Sequence, residues 1–256
     1  MRPSAFSPRV VALGLFVAFA LAVVTSSAPQ HGTRHRRFES TLEDARPLRI
    51  IFMLKRASMK MFGHSEFDVF ANPVVSAGNT AVRYDGYVTF MEGGTNHTIS
   101  VVDGIAYFVT TTAGGSVAVE CSTSDSLALL NYIIPALNKA TAISSALVDG
   151  KQIICQGRDL LKVELGDATF VVCASDSSGF VVYGSDLNIS VKYLGNPVPI
   201  VVPMLGEDEA RACKAIVKPF PVTATTLALL TGEPTVFESN PQSIARYLSH
   251  LFGYAR

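Results

Sequence analysis

The sequence has 256 residues, 48 % of them hydrophobic and none Trp, with 21 basic and 21 acidic side chains. That length and apolar share suffice to bury a full core, and one large domain is expected rather than two small ones. The zero balance hides an asymmetry: residues 1–37 carry Arg2, Arg9, Arg34, Arg36 and Arg37 and no acid, which leaves 16 basic against 21 acidic groups, about −5, and excludes a nucleic-acid-seeking body.

Residues 10–24, VVALGLFVAFALAVV, are apolar throughout, follow Arg2 and Arg9, and precede Thr25, Ser26, Ser27 and Ala28. A charged start, a short apolar run and small residues are the order of a secretory signal, here 1–27, and the run is short for a bilayer span. No other segment approaches eighteen uninterrupted apolar residues, so no stable membrane span is expected. Residues 28–46 form a leader of high charge and few apolar anchors, expected to lack tertiary contacts.

From Arg49, apolar residues at Ile50, Ile51, Leu54, Ala57 and Met61 or Phe62 keep helical spacing, with Lys55, Arg56 and Lys60 on the wet face, which predicts an N-terminal helix. After Gly63 the runs FDVFANPVV, AVRYDGYVTF, HTISVV, IAYFVTTT and SVAVEC predict an antiparallel meander. Asp103-Gly104 between two of these runs is a strong hairpin signal. SDSLALLNYIIPALNKA then predicts a central helix, with Ser124 or Asp125 as cap, Leu127, Leu130, Ile134 and Leu137 on one stripe, and a bend at Pro135.

Strands return from Lys151 as KQIIC, LKVEL, ATFVVC, GFVVY and NISVKYL. A third helix is expected at GEDEARACKAIV, where Glu207, Asp208 and Glu209 suit the positive end of the helix dipole and Lys214 and Lys218 the negative end. A last helix is expected at PQSIARYLSHLF, with Asn240 as N-cap, Pro241 in the first turn and Gly253 as the stop. The fold class is therefore α+β, a curved antiparallel sheet resembling a half-barrel with N-terminal, central and C-terminal helices, forming one disulfide-bonded domain over residues 47–256. The central helix is the expected filler of its concave face, with a ligand as the alternative.

In an oxidising compartment the even set Cys121, Cys155, Cys173 and Cys213 is read as disulfides. If the LKVEL strand separates Cys155 from Cys173, their Cα atoms stand about two strand spacings apart, beyond disulfide reach. The expected pairs are Cys121 with Cys155 and Cys173 with Cys213. Asn96-His97-Thr98 and Asn188-Ile189-Ser190 are N-glycosylation sequons beside predicted turns.

The order of "FDVF", "SVVDGIAYFV", a central helix and "GFVVYGSDLNISVKYL" over residues 49–195 resembles the half-barrel of bacterial lipoprotein carriers of the LolA type. That resemblance implies an acyl ligand in the concave face and transfers no site residue.

No G-x-S-x-G elbow, H-E-x-x-H, P-loop or dinucleotide fingerprint is present. His64, Ser65, Glu66, His97 and His250 are scattered, His97 reads as a solvent-facing turn residue, and Glu207 to Glu209 serve a helix terminus as readily as acid-base chemistry. Neither an enzyme nor a cofactor or metal ion is expected.

Arg34-His35-Arg36-Arg37 has the R-x-[KR]-R form read by subtilisin-like maturation proteases. With Glu43, Asp44, Ala45 and Arg46 behind it, the stretch also resembles the leader of oomycete secreted effectors, an R-x-L-R motif followed by an acidic D-E-E-R-like one, with Arg36 where that family has Leu. The resemblance implies a secreted protein acting on host or extracellular partners, with the leader either a processing site or an address into a host cell. The expectation is a secreted non-enzymatic binding protein. An acyl or lipid carrier and an enzyme of unrecognised type are the alternatives.

Overall fold

The computed structural model describes residues 40–121, 127, 129–155, 159–206, 210, 211 and 213–235. The chain divides into two units, residues 1–39 and residues 40–256, and every described residue belongs to the second. The predicted signal, Arg34 to Arg37, the helix caps Ser124 and Asp125, Glu207 to Glu209, and the last helix with His250 lie outside the described residues.

The first strand, β1 (Leu48–Leu54), stands where the sequence predicts a helix. Its run LRIIFML carries apolar residues on both faces, which imitates helical spacing, but both of its edges are taken up by antiparallel pairing. It lies between β2 (Glu66–Val75) and β13 (Leu187–Tyr193), with Leu48, Ile50 and Phe52 opposite Ala71, Val69 and Phe67 on one side and Tyr193, Val191 and Ile189 on the other. Only Ala57–Met59 of the predicted helix keeps a helical turn, a 3-10 one.

The first meander continues through β3 (Ala81–Glu92), β4 (Thr95–Val102), β5 (Ile105–Thr111) and β6 (Val117–Cys121). The Asp103-Gly104 hairpin forms as expected: Val102 pairs with Ile105, and Asp103 and Gly104 take φ of 53° and 77°. Next come β7 (Thr141–Ile143) and a separate hairpin of β8 (Ala146–Val148) and β9 (Lys151–Ile153), then β10 (Leu160–Leu165), β11 (Ala168–Asp176) and β12 (Gly179–Tyr183). The path through the main sheet is β6-β5-β4-β3-β2-β1-β13-β12-β11-β10-β7, antiparallel at every step, and β14 (Phe220–Pro221) pairs with the start of β3. Pairing of β1 with β13 thus joins two meanders into one open sheet.

Among the described residues, two helices lie on one face of that sheet. The central helix α1 (Leu130–Asn138) contains Pro135, and its expected stripe packs inward, Ile134 against Val82, Leu137 near Leu161, and Leu127 and Leu130 near Val101 and Ala106. The second, α2 (Ala224–Thr231), answers to no element predicted from the sequence. It buries Thr226, Ala228, Leu229, Leu230 and Thr231, and a helix enclosed all round displays no apolar stripe to find.

Of the third predicted helix, Ala210 and Arg211 are helical and residues 213–217 are not; residues 207–209 and 212 lie outside the described residues. Beyond Cys213 the chain runs irregularly, because Ile216 and Val217 both donate backbone N–H to Gly104 O, at 2.8 and 3.0 Å, and Pro219 disfavours helix in the residue before it.

Residues 41–46, assigned from the sequence to a flexible leader, are folded. Leu42 and Ala45 are buried with Val82 and Leu230, the Asp44 carboxylate accepts from Thr41 N–H at 2.8 Å, and Arg46 N–H donates to Leu230 O at 3.0 Å. Two apolar residues in a charged stretch anchor it, which its composition conceals.

The cysteines pair as Cys121–Cys213 and Cys155–Cys173. Both expected pairs are corrected for one reason. β10 does neighbour β11, with Leu160 opposite Cys173, but Cys155 follows β9, which pairs with β8 outside the main sheet, so no intervening strand holds it away.

Candidate functional site

Alternation along β3 divides the sheet into two unlike faces. Val82, Tyr84, Val88 and Phe90 point to the helix side, whereas Arg83, Asp85, Tyr87 and Thr89 point to the other. On the helix side, away from α1 and α2, aromatic rings collect. Phe52 stacks on Phe67 at 5.1 Å, Phe67 meets Phe90 edge-on at 5.1 Å, and Phe62 lies 5.1 Å from Phe90 and 4.4 Å from the His97 ring. Phe62 occupies a two-residue turn in which it and Gly63 have φ of 47° and 80°, a strained setting for a bulky residue. The His97 stack holds that turn against the sheet.

On the opposite face the segment after β13 crosses the sheet as a strap. The Asn72 amide fixes it at both polar atoms, Nδ2 donating to Val198 O at 2.7 Å and Oδ1 accepting from Val198 N–H at 3.0 Å. Beneath the strap is a pocket of about 360 Å³ whose floor comes from three strands: Tyr87, Thr89, Thr98, Ser100 and Val109. Its walls are Pro199, Ile200, Val201 and Pro203 of the strap. The Thr89 and Thr98 hydroxyls share one hydrogen bond at 3.1 Å. Ser100 is 4 % exposed, and its Oγ has no hydrogen-bond partner among the described residues.

A charged clasp borders this face. Arg83 donates to Asp85 at 3.1 Å and to Asp103 at 2.8 Å, and Asp85 accepts from Asp103 N–H at 3.0 Å, so β3 and the β4–β5 turn are locked together. On the helix side, burial, and secondarily the neighbouring Tyr193, pushes the Tyr84 hydroxyl far above the usual phenol range, while it donates to Arg46 O at 3.3 Å. At the exposed sheet surface, the Lys162 ammonium beside Glu164 lowers that carboxyl.

The structure scatters the residues singled out from sequence. His64 Nε2 lies 3.0 Å from Met91 O. His97 is no turn residue: it sits in β4 with its side chain 15 % exposed, packed against Phe62 and Phe108, because inward alternation places it opposite Phe90. Asn96 and Asn188 are each second in their strand, half-buried, and the Oδ1 of each lacks a partner among the described residues. Glu43 accepts from Asn79 Nδ2 at 2.7 Å, and the Arg46 guanidinium lies 5.4 Å over the Tyr193 ring. Among the described residues no three His, Cys, Asp or Glu side chains gather to hold a metal ion, and no helix is long and apolar enough to cross a membrane.

Sequence reading missed the strap pocket. Its signals were the Pro-spaced apolar stretch NPVPIVVP and the hydroxyl side chains alternating through β3 and β4, neither of which points to a pocket until register brings them together. No family model matches the chain, and comparison with curated proteins and with solved structures returns no match.

Proposed function

We propose that this chain is a secreted, non-enzymatic binding protein of the effector sort that acts on an extracellular or host partner. The two cystines, one of them closing a separation of 92 residues, carry the reading, since such bonds persist in oxidising compartments. They also tether the segments on which large apolar side chains stand in solvent. Leu147 within β8 and Ile154 between β9 and Cys155 are 72 % and 75 % exposed, and Val201 and Met204, 78 % and 93 % exposed, lie on the strap that leads to Cys213. Exposed apolar groups on tethered segments suit contact with a partner. The LolA-like alternative, an acyl carrier on the helix-bearing face, needs room that α1 and α2 take beside Leu48, Leu161 and Val82. The enzyme alternative needs a nucleophile and base in reach of one another, and His64 and His97 are each engaged elsewhere.

The test uses natural secretions. The expected findings are a processed N-terminus, near Phe38 if Arg34 to Arg37 are cut or near Ala28 if they are retained, no free thiol, and a saturable photo-crosslink to one partner. An unprocessed intracellular chain with four free thiols, or no saturable crosslink, overturns the reading.

A further inference from the structure

We infer that the strap crossing the sheet is a recognition segment for an endopeptidase whose primary pocket takes an unbranched apolar side chain, with Met204 as the residue inserted, and that the chain restrains such an enzyme as a slowly cut substrate. The inference rests on the reading of this chain as a binding protein and names the class of its partner. Sequence sets the shape of the strap. Pro197, Pro199 and Pro203 fix their own φ, and a residue before proline is restricted to extended backbone, which governs Asn196, Val198 and Val202. From Pro197 to Gly206 the chain accordingly makes no helix, strand, turn or bend. Burial alternates along its second half: Val202 and Met204 are exposed, Pro203 and Leu205 half-buried, which is the period of an extended chain. Among the described residues the backbone N–H and C=O groups of residues 199–205 form no hydrogen bond. An extended segment with unpaired backbone groups and outward apolar side chains is what a groove for extended peptides takes.

Two features choose a protease cleft over the edge of a partner's sheet. The three prolines interrupt the row of N–H donors that a continuous ladder needs. A cleft instead takes one projecting side chain into a pocket that sets its specificity. Met204, 93 % exposed and unbranched, projects furthest, whereas Val201 and Val202 are stiff at Cβ. The strap is also held on both sides of Met204. Leu194 N–H donates to Pro47 O at 2.8 Å, the Asn72 amide holds Val198, and Cys213 is bonded to Cys121 at the end of β6. A segment fixed in its bound shape loses little freedom on docking. Hydrolysis after Met204 adds water across the Met204–Leu205 bond and leaves a carboxylate on the first residue and an amine on the second. Neither end departs, because the cut falls between Cys121 and Cys213, which stay bonded. Loss of water from the two retained ends reseals the bond.

The experiment incubates the whole folded protein with chymotrypsin and, separately, with trypsin, reading enzyme activity on a chromogenic substrate and the state of the strap by mass spectrometry. Competitive inhibition of chymotrypsin is expected, with the Met204–Leu205 bond cut about a hundredfold more slowly than in a free peptide of residues 197–206. Met204→Arg, at a position that stands in solvent, should weaken inhibition of chymotrypsin about tenfold and confer an inhibition of trypsin that the native chain lacks. Asn72→Ala should keep a cooperative thermal unfolding transition while the cut becomes about tenfold faster, the effect of losing a clasp of two hydrogen bonds. A native chain that leaves chymotrypsin fully active, or is cut as fast as the peptide, overturns the inference. So does a Met204→Arg chain that still inhibits chymotrypsin and spares trypsin, since the contact then lies elsewhere, or an Asn72→Ala strap cut at the native rate. A native protein that crosslinks a partner from secretions while chymotrypsin stays fully active sinks this inference and leaves the binding-protein reading standing.

Discussion

Asn131 and Asn138 stand seven residues apart on α1, and each amide grips the same passing chain segment at both polar atoms. Asn131 Nδ2 donates to Ile216 O at 2.7 Å while its Oδ1 accepts from Lys218 N–H at 2.8 Å; Asn138 Nδ2 donates to Pro221 O at 2.8 Å while its Oδ1 accepts from Thr223 N–H at 2.9 Å. Two helical turns thus measure out residues 216–223, which carry Val217 into one cluster, bring Phe220 to β3 and deliver Thr223 as the N-cap of α2. Asn138→Ala removes two hydrogen bonds, and a loss of about 1–3 kcal/mol is expected in urea unfolding. Because both asparagines hold one segment, the double Ala variant should lose measurably less than the sum of the singles. Strict additivity would show two independent clasps.

The disulfides are expected to differ in weight. Cys121–Cys213 spans 92 residues and Cys155–Cys173 spans 18. Chain entropy alone then assigns about 4–5 kcal/mol to the first and about 3 to the second. Replacing both cysteines of a pair by Ser should lower the denaturation midpoint more for Cys121 and Cys213. Peptide mapping without reduction should recover the two observed pairs, and a Cys121 to Cys155 peptide would contradict the strand arrangement.

Tyr84 supplies a pH dependence. Its folded pKa is raised, chiefly by burial and then by Tyr193, above the ordinary value of 10.0 that the unfolded chain would show. The native state therefore holds the phenol proton more tightly. The stabilisation is fully present below the unfolded value and is lost progressively as pH rises above about 10. Chemical denaturation between pH 8 and 11 should show stability falling at the alkaline end. Tyr84→Phe should flatten that fall and cost about 0.5–1.5 kcal/mol at pH 8, for the hydrogen bond to Arg46 O. An alkaline slope identical in the variant would assign it to other groups.

Legibility in the sequence followed locality. The strands around Asp103-Gly104 and the run from LKVEL to NISVKYL were readable, since turn residues and β-branched runs act on their own neighbours. The stripe Leu127, Leu130, Ile134 and Leu137 was readable for the same reason, and it packs inward. What failed was set by distant partners. Ile50 and Ile51 fit a helix until β2 and β13 claim both edges of their strand. Leu42 and Ala45 look like linker until Val82 and Leu230 enclose them. Cys155 looked too far from Cys173 because one short hairpin leaves the sheet. The strap pocket was hidden in the same way: Ser100 and Ile200 lie a hundred residues apart, and only the register of β3 with β4 and the Asn72 clasp bring strap and floor together.

Gly104 tests how a local turn and a distant segment combine at one position. Its φ of +77° is required by the two-residue hairpin, and a Cβ there would stand 2.4 Å from Val217 O, far inside contact distance with backbone that cannot swing aside. The same carbonyl of Gly104 accepts from both Ile216 and Val217. Gly104→Ala therefore meets two penalties, a left-handed backbone for a residue with a Cβ, about 1 kcal/mol, and displacement of the 216–223 segment. Gly115 provides the control: its φ is +82° and no atom lies within 4 Å of an added Cβ, so Gly115→Ala isolates the backbone penalty. Gly115→Ala should cost about 1 kcal/mol and Gly104→Ala about 2–4 kcal/mol, with hydrogen exchange at the Ile216 and Val217 amides accelerated only in the latter. Equal losses in the two variants would show that the segment does not bear on the turn.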